Sequence, residues 1–236
     1  MSGWQGWLHR RPSLSASQTA RIDRWRALQA FDPDTPIEAT RWCVVDVETS
    51  GLEVRRDRLL SIGAVRVESQ RIVIGNAFHR LLRQASASSV ANILVHRISG
   101  TAQREGDDPA EVLLAFLEWV GHAPLVGFHA PFDATMIARA LRSVLGVQWK
   151  NPWLDLAVLA PALYPDVRSP QQSLDDWLAR FNIIAMQRHD ALADALATAQ
   201  LLQVMIARAT ALGMTQSRAL LAFAAGQRWL GGNGVR

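Results

Sequence analysis

The sequence predicts an α/β domain in which a mixed central β-sheet is flanked by helices. Short apolar runs rich in β-branched residues fill residues 42–82, and residues 108–229 are mainly helical in their periodicity. One further strand-like run, residues 124–128, lies among those helices. A block of strands, followed by strands that alternate with helices, is typical of such a sheet. A chain of 236 residues buries roughly 70% of its unfolded surface, so its core needs no disulfides.

Each element follows from a local pattern. Residues 42–48 form an apolar run that ends at a Thr-Ser-Gly turn, and residues 59–67 and 71–82 are two further strands joined by a short polar turn, which predicts a three-stranded meander. Asp108, followed by Pro109, is a suitable N-cap for a helix that runs to about residue 120. Further helices are predicted over residues 131–145, 153–163 after a short extended start, 173–181, 190–209 and 215–229.

The chain is predicted to have three segments. Residues 1–40 are a basic N-terminal extension, helical over residues 17–31 and closed by a linker with Pro33 and Pro36. Residues 41–210 form the main domain and residues 211–236 a helical C-terminal tail. Residues 1–31 hold five arginines against one aspartate, whereas acids and bases balance in the remainder. The protein is therefore a neutral body with a basic arm, despite a sequence pI of about 10.4.

Composition excludes several classes of protein. The single cysteine, Cys43, excludes an intramolecular disulfide framework and fits a reducing compartment. The longest uncharged stretch, residues 119–132, is too short and too interrupted by glycine and proline to cross a bilayer. The N-terminus lacks a continuous apolar run before a cleavage site. We therefore expect a cytoplasmic protein that does not act at a membrane.

Carboxylates at the ends of two predicted strands are the first candidate site residues. Asp46 and Glu48 lie two residues apart, so both side chains project from the same face of their strand. Asp133 begins the helix that follows the strand at residues 124–128. Sites in open α/β sheets form at the carboxyl ends of strands. Taken alone, the first two acids also fit a solvated edge strand, and Asp133 also fits a helix N-cap.

A second candidate pair lies at the start of the long helix of residues 190–209. Asp194 is flanked by alanine and leucine, and His189 comes five residues before it. Within one helix these two side chains would diverge by about 140°, so a shared site requires His189 on the loop that enters the helix. Taken alone, a helical aspartate usually faces solvent and a single histidine is usually structural.

Three motifs together resemble one family. VVDVETSGL at residues 44–52, VGFHAPFD at 126–133 and HDALADA at 189–195 match, in order and spacing, the motifs of the DEDDh exonucleases. This is the DnaQ-like 3′–5′ exonuclease superfamily, with a ribonuclease H-like fold, which includes the epsilon subunit of DNA polymerase III and ribonuclease T. The segments SIGAVRV, VHRIS and SLDDWLARFNI are similar to further parts of the family, and the resemblance covers about residues 41–209.

The resemblance implies a metal-dependent nuclease. Asp46, Glu48, Asp133 and Asp194 would bind two divalent ions, with Asp46 bridging them, and hard oxygen ligands of this charge select Mg²⁺ or Mn²⁺. Glu48 would also help to orient the attacking water. His189 would be the general base, because imidazole exchanges protons near neutral pH. The product would be a nucleoside 5′-monophosphate released from a 3′ end.

Contacts to the terminal nucleotide are expected from five further residues. The family's second motif commonly has His and Asn where this chain has Phe128 and His129. Neither position is among the implied metal ligands, so the departure bears on substrate handling and local hydrogen bonding. Phe132 is predicted to pack beneath the site. The predicted substrate-binding residues are Thr49, Gly51, Leu52, His129 and Phe132.

Several functions stay open at this point. Single-stranded or frayed DNA is the favoured substrate, and RNA is the alternative within the family. A stand-alone enzyme is favoured over a polymerase-bound proofreading subunit, because the extension lies at the N-terminus; a DNA polymerase or a second copy of the chain remains a candidate partner. From another class, the fold could serve as an inert nucleic-acid-binding or docking module. That reading is disfavoured because all four acids and His189 are present. Trp4, Trp7, Arg10 and Arg11 would stack on bases and bind phosphates, or anchor the arm by packing.

Overall fold

A computed structural model gives the fold and describes residues 14–166, 172–186 and 188–232, with side chains to residue 227. The predicted contacts of Trp4, Trp7, Arg10 and Arg11 lie outside these residues. In chain order the elements are α1 Ala16–Arg26, β1 Trp42–Thr49, β2 Leu59–Glu68, β3 Arg71–Leu81, α2 Val90–His96, α3 Gly100–Glu105, α4 Pro109–Val120, β4 Leu125–Gly127, α5 Ala130–Leu145, β5 Trp153–Asp155, α6 Leu156–Leu163, α7 Leu174–Arg180, α8 Ala191–Ala211 and α9 Ser217–Gly232.

The sheet is mixed, as the sequence predicts. Its strand order is β3-β2-β1-β4-β5; β1, β2 and β3 form an antiparallel meander, while β4 and β5 run parallel to β1. Helices cover both faces, with α4 and α5 on one side and α6 and α8 on the other. The predicted α/β class and the ribonuclease H-like arrangement are confirmed, including the extended start of residues 153–163.

The side chains of β1 alternate between two apolar clusters. Cys43, Val45 and Val47 pack with residues of α4 and α5, whereas Trp42 and Val44 pack with residues of α6 and α8. Because strand side chains alternate, Asp46 and Glu48 follow Trp42 and Val44 onto the α8 side of the sheet. The carboxyl end of β1 thus carries two acids toward the helix that carries Asp194.

Close packing between sheet and helix depends on Gly63 of β2. This glycine pairs with Asp46 across the antiparallel ladder. A Cβ atom built there would lie 2.2 Å from the backbone carbon of Ala191 and 2.2 Å from the backbone nitrogen of Leu192. Only a residue without a side chain therefore lets the first turn of α8 rest on the strand beside Asp46.

The predicted N-terminal helix is shorter than expected. It ends at Arg26 rather than at residue 31, with Ala27 as its C-cap, and the chain then continues as a turn toward the linker. Helix α1 packs on α4: Arg21 pairs with Glu111 (2.6 Å) and Glu118 (2.7 Å), and the indole N–H of Trp25 donates to the carbonyl of Gly121. The division of the chain into three segments stays a prediction.

The helices α2 and α3 are absent from the sequence-based prediction. They contain seven and six residues, too few for a periodic apolar pattern to emerge. Each begins at a serine N-cap, Ser89 and Ser99, whose side chain accepts a hydrogen bond from a backbone N–H in the first turn. In the part of the chain that the structure describes, no helix is long and apolar enough to cross a membrane.

Replacing Gly63 with alanine should destabilise the protein, because the added methyl group meets the backbone of α8 rather than a flexible side chain. We expect the free energy of unfolding to fall by about 1–3 kcal/mol or more, measured by urea denaturation. The matched control is Gly75→Ala on β3, where an added Cβ has no neighbour within 4 Å, and its effect should stay within about 0.5 kcal/mol. Equal effects of the two substitutions would contradict this account of the close approach.

Candidate active site

The carboxyl end of β1 is the centre of the candidate site. Strand β4 runs parallel to β1 on one side, so the loops that leave both strands emerge at the same edge of the sheet. Asp46 and Glu48 lie on β1 itself, and both are partly buried. The register shifts between Glu48 and Thr49, which ends regular pairing with β2 directly after the second acid.

Asp133 reaches this edge from the first turn of α5. His129, the residue directly before α5, adopts a left-handed conformation (φ +62°, ψ +40°), which turns the chain sharply from β4 into α5. Asp133 is 5% exposed, and the backbone N–H groups of Val47 and of Asp133 itself hydrogen-bond to its carboxylate. Asp133 is therefore tied to β1 by a backbone contact beside Asp46.

Asp194 comes from the first turn of α8 and is also buried. Its Oδ2 atom accepts a hydrogen bond from the backbone N–H of His189 at 3.0 Å. Asp190 caps the helix by accepting from the backbone N–H of Ala193 at 2.9 Å. His189 lies just before the helix with φ +62°, and its side chain is exposed. The loop position that a shared site requires for His189 is thus observed.

Three of the four acids form a compact cluster. Carboxylate oxygens of Asp46, Glu48 and Asp194 lie within 4.8 Å of one another, among the residues that the structure describes. Asp133 lies outside this set but interacts electrostatically with Asp46. Three or four carboxylates held this close repel one another, and a hard divalent cation such as Mg²⁺ or Mn²⁺ relieves that repulsion. The donor set therefore fits the divalent metal ions that the sequence implies.

Burial and mutual repulsion favour the protonated forms of these acids. Loss of hydration raises the pKa of Asp46 well above its usual value, and the negative charges of Asp133, Asp194 and Glu48 raise it further. Burial, together with the charge of Asp194, raises the pKa of Glu48 to about 7. Burial raises the pKa of Asp133 to about 8, although its backbone hydrogen bonds act in the opposite direction. Ionised carboxylates at this site therefore repel one another strongly at neutral pH.

Arg188 is a site residue that the sequence reasoning missed. Its guanidinium forms an ion pair with the carboxylate of Asp194, and its Nε atom lies 2.6 Å from Oδ1 of Asp175 on α7. The arginine therefore brings one positive charge against one member of the acidic cluster. Its position next to His189 was the only signal in the sequence, because contact with Asp175 and Asp194 depends on how α7 and α8 pack.

The loop after β1 contains three of the predicted substrate-binding residues. Thr49 donates its hydroxyl hydrogen to the carbonyl of Gly51 at 2.7 Å. Asp57 organises this loop by accepting from the Ser50 hydroxyl at 2.9 Å and from the backbone N–H of Glu53 at 2.8 Å. A Cβ atom on Gly51 would lie 2.4 Å from Oδ2 of Asp57, so a larger residue here would displace the Asp57 carboxylate. Leu52 is left 85% exposed beside the acids.

The other predicted contacts divide between surface and core. His129 is exposed, its backbone N–H donates to Oδ1 of Asp155 at 3.0 Å, and Phe128 contacts its ring edge-to-face. Phe132 packs, partly buried, against the core cluster that contains α4 and α5, in line with the packing role predicted for it.

His96 is buried and structural: Nε2 bonds the Ser88 hydroxyl at 3.2 Å, and Nδ1 accepts from the backbone N–H of Ile98 at 3.0 Å.

The comparison with protein families points to the same chemistry as the geometry. The RNase_T family model, described as exonuclease, matches residues 43–202. The matched region begins within β1 and ends within α8, and it includes all four acids and His189.

Curated relatives include PolC-type DNA polymerase III and an epsilon-like protein. A PolC-type DNA polymerase III from Listeria innocua is 33% identical over 171 residues, which is 72% of this chain and 12% of that protein. A DNA polymerase III subunit epsilon-like protein from Rhodobacter capsulatus is 30% identical over 191 residues, 80% of this chain and 27% of that protein. The chain thus spans about an eighth to a quarter of the length of these relatives.

Among solved structures, E. coli Exonuclease I has a similar fold. Its complex with a dT13 oligonucleotide superposes with a TM-score of 0.61 at 21% identity, covering 73% of this chain and 42% of that one. The zinc-bound form of its single-stranded DNA complex gives a TM-score of 0.63 at 20% identity, with the same coverage.

The raised pKa values predict how stability varies with pH. Between about pH 4 and pH 8 the folded protein holds more protons on Asp46, Glu48 and Asp133 than the unfolded chain, so the free energy of unfolding contributed by these groups falls as pH rises. Urea unfolding from pH 5 to 8.5 in EDTA should show this decline, and Mg²⁺ should reduce it.

The contribution of the site is isolated by Asp46→Asn, which removes one of the repelling charges. The free energy of unfolding of this variant should decline less steeply with pH than that of the wild-type protein. Glu105→Gln, at an exposed acid on α3, should leave the wild-type slope unchanged. An Asp46→Asn variant with the full wild-type slope would contradict the repulsion assigned to the site.

Arg188 should compete with divalent cations for Asp194. We expect Arg188→Gln to bind Mn²⁺ more tightly than the wild-type protein, by roughly two- to tenfold, because one carboxylate is freed from its guanidinium partner. Isothermal titration calorimetry without substrate measures this directly. Asp175→Asn is the matched control, because it removes the other partner of the arginine and leaves the pair with Asp194 in place. Weaker Mn²⁺ binding by Arg188→Gln would show that the arginine supports the cation site instead.

Proposed function

The chain belongs to the RNase_T exonuclease family, and from that premise we propose that it is a metal-dependent 3′–5′ exonuclease of the DEDDh type. It hydrolyses phosphodiester bonds at the 3′ end of single-stranded or frayed DNA and releases nucleoside 5′-monophosphates. The observation that carries the proposal is the convergence of Asp46, Glu48 and Asp194 within 4.8 Å at the carboxyl edge of the sheet, where the charge of Asp133 also acts on Asp46.

The four acids are the residues that would hold two Mg²⁺ or Mn²⁺ ions. Asp46 is central, because the charges of Asp133, Asp194 and Glu48 all act on it. Bound divalent cations would stabilise the charge that develops on the attacking and leaving oxygens of the phosphate. The protein's own contribution is to fix the carboxylates in advance, through the β1 backbone, the N–H of Val47 on Asp133 and the N–H of His189 on Asp194.

His189 is the proposed general base. Its side chain is exposed, so a water molecule can reach the imidazole, and the chain geometry places it directly before the helix that carries Asp194. The hydrogen bond from its backbone N–H to Asp194 anchors the residue at the rim of the acidic cluster. A neutral imidazole there accepts the proton that the attacking water loses.

Substrate binding is assigned to the exposed apolar rim beside the acids. Leu52 projects from the loop after β1, and the amide of Asn92 on α2 donates to the carbonyl of Ser50, which holds α2 against that loop. Helix α2 exposes Val90, Leu94 and Val95. Exposed aliphatic side chains of this kind can bury apolar surface against the faces of unpaired bases. DNA is favoured as the substrate because one relative is a PolC-type DNA polymerase III and another is named a DNA polymerase III subunit epsilon-like protein. A role apart from a polymerase stays a prediction of the sequence.

Digestion of end-labelled oligonucleotides tests the proposal. Single-stranded DNA labelled at the 3′ or the 5′ end, and matching RNA, are incubated with Mg²⁺, Mn²⁺ or EDTA. We expect mononucleotides from the 3′ end of DNA, no product in EDTA, and a loss of at least about a hundredfold in kcat/KM for Asp46→Asn and Glu48→Gln. Faster digestion of RNA would assign the activity to RNA trimming instead.

The matched control for these variants is Glu105→Gln, at an exposed acid away from the cluster, which should keep wild-type activity. Folding of the inactive variants is checked by urea denaturation. Asp46→Asn should be at least as stable as the wild-type protein at pH 8, because it removes a repelling charge. Absence of 3′ products with either metal, or full activity in Asp46→Asn, would overturn the proposal.

A further inference from the structure

A cavity lies along α5, outside the acidic cluster. Its volume is about 630 Å³, within the range of small-ligand sites. Its walls come from the loop after β1, at Val54 and Arg55, from the outer side of α5, and from Trp149 and Trp153 at the approach to β5. None of the residues described by the proposed mechanism lines it.

The charge in this cavity is positive only. Arg55, Arg139 and Arg142 line it, and no acidic residue does so in the described part of the chain. Arg139 is half-buried and donates to the carbonyl of Val54, which ties the loop to α5. Arg55 and Arg142 are exposed and, among the described residues, form no ion pair. Two guanidinium groups are thus free to bind an anion such as a phosphate.

The aromatic wall of the cavity is rigid. Trp149 is 9% exposed and packs edge-to-face on Phe116, with ring centroids 5.9 Å apart. Trp153 packs edge-to-face on Trp149 at 5.8 Å and stays partly exposed. A fixed tryptophan beside free arginines is the combination that binds nucleotides, because the base stacks on the indole while the guanidinium contacts the phosphate.

The cavity and the acidic cluster share one helix. Asp133 lies in the first turn of α5 and Arg142 in the last, nine residues later, which corresponds to about 13 Å along the helix axis and about 180° around it. A stacked strand advances about 3.4 Å per nucleotide. A strand with its 3′ end at the acids would therefore pass around α5 and bring a nucleotide at least about four positions away to Arg142.

We propose that this cavity, lined by Arg55, Arg142 and Trp153, is a second nucleotide-binding site. Its ligand is the phosphate and base of one nucleotide, supplied either by the substrate strand a few positions from its 3′ end or by a free nucleoside 5′-monophosphate. The idea that the nucleotide belongs to a substrate DNA strand rests on the proposed exonuclease function, whereas the binding of a nucleotide in the cavity does not.

Equilibrium binding in EDTA tests the site without cleavage. Fluorescence anisotropy of 5′-labelled dT8 and dT2 is measured for the wild-type protein, Arg142→Gln and the control Arg71→Gln. Arg71 is an exposed arginine on β3, the opposite edge of the sheet from β5, so both variants lose one positive charge. Glutamine is a good helix former, so Arg142→Gln should fold normally.

If the ligand belongs to the substrate strand, the effect of Arg142→Gln should depend on the length of the oligonucleotide. Arg142→Gln should bind dT8 roughly three- to tenfold more weakly than Arg71→Gln, and dT2 equally well. The slope of log K against log salt concentration for dT8 should decrease in magnitude by about 0.7, the loss of one phosphate contact to a single strand. In Mg²⁺, the KM for dT8 should rise in Arg142→Gln while kcat stays unchanged.

Binding of a free nucleotide in the cavity is measured by calorimetry with dTMP in EDTA. Without cations the carboxylate cluster repels a phosphate, so dTMP binding reports on the cavity. Binding that is present in Arg71→Gln and weakened in Arg142→Gln would assign the site to free nucleotide. If Arg142→Gln matches Arg71→Gln with dT8 and with dTMP, the second site is ruled out. Absence of cleavage by the wild-type protein in Mg²⁺ would instead contradict only the exonuclease function and the assignment of the bound nucleotide to a substrate strand.

Discussion

Repulsion among buried carboxylates is the constraint on which the site depends. Asp46, Glu48, Asp133 and Asp194 come from a strand and two helices, and each loses hydration or gains a negative neighbour when the chain folds. Bringing such groups together is unfavourable on its own, so the surrounding fold must supply the free energy. The apolar clusters on the two faces of the sheet do so, because they fix β1, α5 and α8 independently of the acids.

Convergence of these elements depends on small backbone features. Gly63 removes the side chain that would keep α8 away from β2, and the left-handed residue His129 helps to turn the chain from β4 into α5 over the two residues that connect them. The backbone N–H of Val47 reaches Asp133, and that of His189 reaches Asp194. Backbone donors partly offset the repulsion without adding a charge that would compete with a cation. Arg188 is the exception, because its ion pair with Asp194 brings a full positive charge to the cluster.

The sequence predicted those parts of the site that depend on local pattern. Strand alternation placed Asp46 and Glu48 on one face, the strand-to-helix order placed Asp133 at the same edge, and helical geometry required His189 on the loop before Asp194. The contact of Gly63 with α8 could not be predicted, because it joins segments far apart in the chain. The contacts of Asp57 and Arg188 are nearer in sequence, but they depend on irregular loop backbone that carries no periodic pattern. Helices α2 and α3 were missed because one or two turns carry no periodic signal. Helix α1 was predicted too long because no glycine or proline marks its end at Ala27.

The two ends of α5 differ in how they respond to cations. At its first turn Asp133 belongs to a group of acids that repels phosphate until divalent ions bind, whereas at its last turn Arg142 attracts phosphate at any metal concentration. On the second-site proposal, a strand is therefore held first at Arg55 and Arg142, and its 3′ end approaches the acids only when cations have neutralised them. Binding of the strand and binding of the metal then become separable steps, because the groups responsible lie at opposite ends and on opposite faces of one helix.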